Sequence, residues 1–297
     1  MRVFLKNSGI IFILFLGLAT AISFVSLNVM KRSSFYKPSF LVNDINENEL
    51  DYIILGASTG LTTLNTKVID SMTNKRGVNL AMDDTALSSQ LLMLQHFLAQ
   101  GKSTKYCILA PNTASFDSRM NSLSDNDYRF LPFIGTDYVT HYYGQFNEVP
   151  AKLLKWSEWM PLLGVSYFNA EIFYPALMGA LNPKKRNRFD DRGNYTYPVR
   201  NQKESKTIVF SEKLVNFTNP YVKEIEALCM ANNIQLICYF SPVQGKKYVS
   251  NSSEYKVIDH SDLFKDTAYF YDILHVNQKG RAVASIRFAE SLKTNID

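Results

Sequence analysis

Cysteine is scarce in this 297-residue chain: Cys107, Cys229 and Cys238 are the only three. Three thiols cannot supply the even, closely spaced framework that staples a small secreted fold. Cys107 and Cys238 sit inside apolar runs, so free thiols acting as small core residues are expected. Histidine is also sparse, with four scattered residues. No Cys/His group has zinc spacing, so neither a metal nor a cofactor is expected. Dense basic clusters are lacking too. The strongest, Lys184-Lys-Arg-Asn-Arg188, runs straight into Asp190 and Asp191, and the net charge of +5 is dispersed. That pattern fits a solvated loop and argues against a nucleic-acid partner. A contact with anionic headgroups or an acidic polysaccharide is the secondary reading. No internal repeat or low-complexity run is evident, and the sequons at Asn194, Asn216 and Asn251 matter only in a eukaryotic secretory host.

The absence with the largest consequence is charge between Asn7 and Met30. This stretch is almost wholly apolar, and a helix of roughly 20 residues crosses the hydrocarbon core. Arg2 and Lys6 precede it while Lys31 and Arg32 follow, so the positive-inside rule leaves orientation undecided. Ala19-Thr-Ala21 has the small-x-small form of a signal cleavage site. The apolar run continues past it through Ile22, Phe24, Val25, Leu27 and Val29, which favours an uncleaved anchor over residues 1–32. Either reading carries the body out of the cytoplasm, and the uncleaved anchor makes the membrane a partner through this helix.

Residues 33–50, polar and interrupted by Pro38, read as a tether. Beyond them short apolar strands alternate with helices. Strands are expected at Tyr52–Leu55, Gly77–Leu80, Tyr106–Ala110, Ile234–Phe240 and Ala268–Tyr271. Helices are expected at Thr63–Met72, Thr85–Gln100, Val222–Ala231 and Gln278–Lys293. This is the pattern of an α/β domain with a parallel sheet covered on both faces, spanning 51–297. Ligands of such sheets bind beyond the carboxyl ends of the strands. From about 118 to 201 the alternation breaks into an aromatic-rich stretch that includes Tyr142, Tyr143, Trp156, Trp159, Phe173 and Tyr174. It reads as a helical insertion over the strand ends, its rings serving either a sugar, a membrane partner or the insertion's own small core.

Two segments carry chemistry. Asp51-Tyr-Ile-Ile-Leu-Gly-Ala-Ser58 is a strand that stops at a glycine and presents a serine. Asp272-Ile-Leu-His275-Val-Asn277-Gln-Lys-Gly280 is a loop feeding the last helix. Together Ser58, His275 and Asp272 offer a nucleophile, a base and a carboxylate to orient that base. Each has a plainer role available: Ser58 as a helix cap, Asp272 as a turn residue, His275 as a surface histidine. Asn277 is placed to cap the last helix, and Gly280 to let it pack close to the sheet.

On these residues the chain resembles the SGNH (GDSL-like) hydrolase superfamily. The first family block ends a strand with glycine, a variable residue and the nucleophile, matched by Gly56-Ala57-Ser58. The last block sets an aspartate two intervening residues before a histidine, matched by Asp272 and His275. The resemblance implies a flavodoxin-like three-layer α/β/α fold and ester or acyl-transfer chemistry. Membrane-anchored relatives act in O-acetylation of extracellular polysaccharides. That implies a glycan or polysaccharide substrate and makes an integral membrane acyltransferase a candidate partner.

The match departs from the family at three places. Ala57 replaces the usual aspartate. Val78-Asn-Leu-Ala-Met-Asp-Asp84 lacks the glycine whose N–H normally serves the oxyanion hole, leaving the N–H of Ala81 or Met82 for that role. Ala110-Pro-Asn112-Thr keeps only the asparagine of the third block, so Asn112 is the side-chain oxyanion candidate. Three readings follow: an esterase or O-acyltransferase working through Ser58, a degenerate domain that binds polysaccharide or scaffolds its assembly, and a phospholipase-like enzyme. Retention of Ser58, Asp272 and His275 together favours the first.

Overall fold

Runs of apolar, largely β-branched and aromatic residues, buried on both faces, build the central strands, and glycine, proline or asparagine close them. The computed structural model describes residues 1–118, 122–200 and 205–296. Residue 201, the expected end of the insertion, and residue 297 lie outside them. The chain begins with α1 (Arg2–Lys31), α2 (Lys37–Asn43), β1 (Glu49–Gly56), α3 (Ser58–Thr63), α4 (Thr66–Thr73) and β2 (Gly77–Asn79). It continues through α5 (Leu87–Ala99), β3 (Ser103–Ala110), α6 (Asp137–Gly144), α7 (Val149–Trp156), α8 (Leu162–Tyr167) and α9 (Asn169–Leu181). The last part holds β4 (Ser211–Val215), α10 (Pro220–Ala231), β5 (Gln235–Phe240), β6 (Lys246–Ser250), β7 (Val257–Asp259) and α11 (Gln278–Ile296). Two compact units result. One is chiefly Met1–Asp44 with Asp127–Asn187, and the other is chiefly Ile45–Met120 with Arg188–Asp297.

The second unit is the α/β body. Its five-stranded sheet runs β2-β1-β3-β5-β7, and every pairing is parallel. Side-chain period two sends Tyr52, Ile54, Ile108, Ile237 and Tyr239 to one face, where they pack with Ile69 of α4 and Phe288 and Leu292 of α11. Ile53, Leu55, Cys107, Leu109, Cys238 and Phe240 are equally buried on the other face, the side of α5 and α10. All three cysteines are free and buried. A separate two-stranded parallel sheet pairs β4 with β6.

The expected strand at Ala268–Tyr271 does not form. Asp266 accepts a hydrogen bond from the Ala268 N–H (2.7 Å) and caps a 3-10 turn over Thr267–Tyr269, so local capping overrides the β preference of the aromatic run. The sheet's last strand is instead β7, three residues long. The expected helix Thr63–Met72 is two helices, because Leu64 is extended and Asn65 caps α4 through the Lys67 N–H. Asn194 is a structural residue: its buried amide bonds Thr66 and Asp190.

The first unit is helical. In α1 an 18-residue window reaches a mean hydropathy of 2.6, and only 17% of that window is buried. Thus one N-terminal helix is long and apolar enough to cross a membrane. Only its last turns are covered, at Ser23, Ser26, Leu27 and Met30, where α8 and α9 pack. Residues 33–50 depart from a tether: α2 lies within them, with Phe40 and Leu41 fully buried, and β1 already begins at Glu49. Asp44 then holds Lys184 (2.5 Å) and Arg186 (2.7 Å), so part of the basic run is ion-paired. The aromatics divide, with Tyr142 and Tyr143 buried around Asp127 and both tryptophans exposed.

Candidate active site

Strand β1 delivers Ser58 on a sharp turn. Ala57 is extended and is the residue before α3, so Ser58 is the first residue of that helix and does not cap it. The turn is held against the end of β3. A Cβ on Gly56 would lie 2.2 Å from the Ala110 carbonyl oxygen, and one on Gly60 would lie 2.5 Å from the same atom. Only residues without a Cβ allow that approach on both sides of the serine.

The Asp272–His275 loop is wired by its own backbone. Asp272 Oδ1 accepts from the N–H groups of Leu274 and His275, both at 2.8 Å. The His275 carbonyl accepts from the Tyr271 N–H at 2.8 Å, which closes the turn. Gln244 fastens the loop from outside, its Nε2 donating to the Asp272 carbonyl (3.0 Å) and its N–H to that of Ile273 (3.0 Å). Asn277 caps α11 as expected, accepting from Lys279 (2.9 Å) and Gly280 (3.2 Å). Its Nδ2 donates back to the carbonyls of Ala268 (2.8 Å) and Phe270 (3.1 Å). Gly280 makes room for the carbonyl of Tyr269, which a Cβ would meet at 2.3 Å; the close neighbour is this loop, where the sheet was expected.

These two pieces bring Ser58, His275 and Asp272 together. His275 Nε2 lies 2.8 Å from Ser58 Oγ, and its Nδ1 lies 2.9 Å and 3.0 Å from the two Asp272 oxygens. With Nδ1 carrying its proton toward the carboxylate, Nε2 presents a lone pair to the hydroxyl. Burial acts to raise the Asp272 carboxyl, but the His275 ring and the two backbone N–H groups outweigh it and hold the acid below its usual range. Asp272 therefore stays ionised at neutral pH.

The oxyanion candidates do not all assemble. The Ala81 N–H donates to Asn79 Oδ1 (3.0 Å), and the Met82 N–H donates to the Gly56 carbonyl (3.0 Å). Both groups expected to serve an oxyanion are thus engaged, one in a local Asx turn and the other in tying the segment after β2 to the end of β1. Asn112 fares differently. Its Oδ1 accepts from the Ala114 N–H (3.2 Å), which leaves its Nδ2 as the end able to donate elsewhere. It stands two residues beyond Ala110, the residue against which the serine turn rests. The Ser58 N–H is a further donor, because the first N–H groups of a helix have no acceptor within it.

Sequence reasoning missed the aromatic wall beside the histidine. Tyr197 lies 5.3 Å from the His275 ring and stacks on Tyr271 at 4.2 Å and 9°, while the Arg200 guanidinium covers Tyr271 at 3.8 Å. Burial raises the Tyr197 hydroxyl above its usual value, with Tyr195 and the carboxylates of Asp272 and Asp83 adding to the shift. Tyr197 has no motif to announce it; its only signal is an isolated bridge to Asn277 that depends on the fold. Among the described residues no three His, Cys, Asp or Glu side chains cluster as metal ligands. A scan against models of protein families finds no match to this chain, and a search of curated proteins finds none either.

Proposed function

We propose that the chain is a membrane-anchored serine esterase or O-acyltransferase of the SGNH type, acting outside the cytoplasm on a glycan or exopolysaccharide. The observation that carries this reading is the continuous hydrogen-bond chain from Ser58 through His275 to Asp272. His275 Nε2 takes the Ser58 proton as Oγ attacks the acyl carbonyl, and Asp272 steadies the imidazolium that forms. The Ser58 N–H and Asn112 Nδ2 carry the negative charge that develops on the carbonyl oxygen. Collapse expels the donor's alkoxide, which leaves with the proton from His275, and the acyl group remains on Oγ. Water or a sugar hydroxyl then gives its proton to His275 as its oxygen attacks the acyl carbonyl, and the second collapse breaks the bond to Ser58 Oγ, which recovers its proton from His275. The Tyr197 ring, 5.3 Å from the His275 ring, favours a sugar acceptor, since a flat aromatic ring suits the apolar face of a pyranose. An integral membrane acyltransferase is the partner that such a cycle would draw its donor from.

A second reading is a degenerate domain that binds polysaccharide or scaffolds its assembly. It is favoured by one observation: the N–H groups of Ala81 and Met82 are already spent on the fold. Fluorophosphonate capture separates the two. Labelling of the purified full chain at Ser58, lost in His275→Ala, is the expected result. A folded protein that takes no label would turn the assignment toward binding. Hydrolysis of phospholipids in preference to short acyl esters of sugars would make the enzyme a phospholipase-like one.

A further inference from the structure

From Trp159 to Pro183 the chain carries a single charged residue, Glu171. Such a stretch ordinarily forms a core, yet much of this one faces outward. Trp159 is 86% exposed, Leu181 72%, Leu177 57% and Tyr174 56%. On α9 the exposed apolar side chains form one stripe, with Phe173, Leu177 and Leu181 at spacing four, while Ile172, Pro175, Ala176 and Gly179 are buried behind them. Trp156, Met160 and Tyr167 extend the exposed apolar surface across α7, α8 and the turn between them. A contiguous patch of this kind needs a covering.

The unit itself indicates what covers it. Helix α9 packs on the last turns of α1, and Ser34 just beyond α1 donates to the Pro183 carbonyl at 2.7 Å. In a spanning α1 the uncharged run uses about 20 residues to cross the hydrocarbon, which brings those last turns to the level of the headgroups. At that depth tryptophan and tyrosine are the favoured residues. Helix α9 has 13 residues, too few to span, and a helix of that length with one apolar face suits the plane of the interface. Exposed cations border the patch, Lys31 and Arg32 at the end of α1 and Lys185 after α9, and they suit anionic headgroups.

We propose that α7, α8 and α9 form an interfacial collar around the exit of α1, with the Trp159–Leu181 surface sunk into the bilayer leaflet. The inference shares with the proposed function only the reading of α1 as a span and is independent of the chemistry at Ser58. The collar fixes unit one at the membrane plane, a constraint that a single spanning helix on a flexible link does not impose.

The chain's two tryptophans, Trp156 and Trp159, both belong to this surface, so selectively excited tryptophan emission reports on it alone. The full chain is reconstituted in phosphatidylcholine/phosphatidylglycerol vesicles with and without brominated acyl chains, and flotation is measured on the same samples. Expected is flotation together with about a twofold or greater loss of emission in the brominated vesicles, reflecting insertion at the interface. Leu177→Glu with Leu181→Glu, both exposed positions, should restore most of that emission while flotation persists. Flotation with emission quenched by aqueous iodide and indifferent to bromine would overturn the collar and leave the anchor standing. Emission shielded from both quenchers would mean that protein, a second copy or an integral partner, covers the surface, and would equally overturn it. No flotation at all would remove the collar and the anchor together.

Discussion

The groups expected to act with the Ser58 hydroxyl divide into two kinds. The side chains of Asp272 and His275 form a hydrogen-bond chain that ends on Ser58, and the N–H groups of Leu274 and His275 hold the carboxylate in place. The N–H groups of Ala81 and Met82, by contrast, are committed to the fold, while Asn112 has its Nδ2 left to donate. Side chains that carry a motif announce their purpose, whereas a backbone N–H serves whichever acceptor the fold supplies.

The contrast can be broken most forcefully at Asp272. Asp272→Asn should keep the chain folded and lower ester turnover about 10⁴-fold, because the amide favours the wrong histidine tautomer. A drop of less than tenfold in a short-chain sugar ester assay would detach Asp272 from the chemistry. Among the oxyanion candidates, Asn112→Ala should cost about 10²–10³ in kcat with little change in KM, the usual loss for one oxyanion donor. An unaltered kcat would remove Asn112 from the oxyanion role and leave the Ser58 N–H as the donor that matters.

A histidine remote from the site sharpens the comparison by separating stability from activity. His260 lies between Tyr239 (3.3 Å) and Ser291 (3.3 Å), and burial, aided by Arg287 and opposed by Glu290, lowers its pKa to about 4. The unfolded chain takes up this proton near pH 6.5 while the folded chain resists it. The contribution is therefore complete above pH 6.5 and is lost as pH falls toward 4, by about 3 kcal/mol. Urea midpoints across that range should decline in the parent chain and decline less in His260→Gln.

The smallest effect is expected at Asn79. Its Oδ1 holds the Ala81 N–H, and its Nδ2 reaches the carbonyls of Gly60, Leu61 and Leu64 at 3.3–3.5 Å. Asn79→Ala should cost about 1–3 kcal/mol of stability through the buried groups it leaves unpaired. Turnover at a temperature where the variant stays folded should change little. A rise in turnover would mean that the freed Ala81 N–H can serve the oxyanion after all.

Strands β1, β3 and β5 and helices α5 and α10 were legible because each is an apolar run with a clear stop at glycine, proline or asparagine, and α11 because Asn277 marks its start. Ser58, Asp272 and His275 were legible as types at meaningful element ends. β7 was not, since three edge residues, Val257 to Asp259, carry no period. Tyr269, Phe270 and Tyr271 suggested a strand that Asp266 prevents by capping the turn before them. The packing of residues 33–44 was hidden because its partners, among them Lys184 and Pro183, lie about 140 residues downstream. Met82 is taken by the Gly56 carbonyl, a contact made through the fold that no local pattern records, whereas the Ala81 N–H goes to Asn79 only two residues before it, an Asx turn.

The site also has an order of assembly written into it. Asp272 and His275 are three residues apart and joined by their own turn, whereas Ser58 lies 217 residues from its base. Local contacts close early in folding, and distant ones wait on the ordering of the chain between them. On the proposed chemistry, Ser58 is inert until the loop before α11 reaches the end of β1. Reactivity toward an electrophile is accordingly a clock for that docking, and it starts only after the segment through His275 has been made.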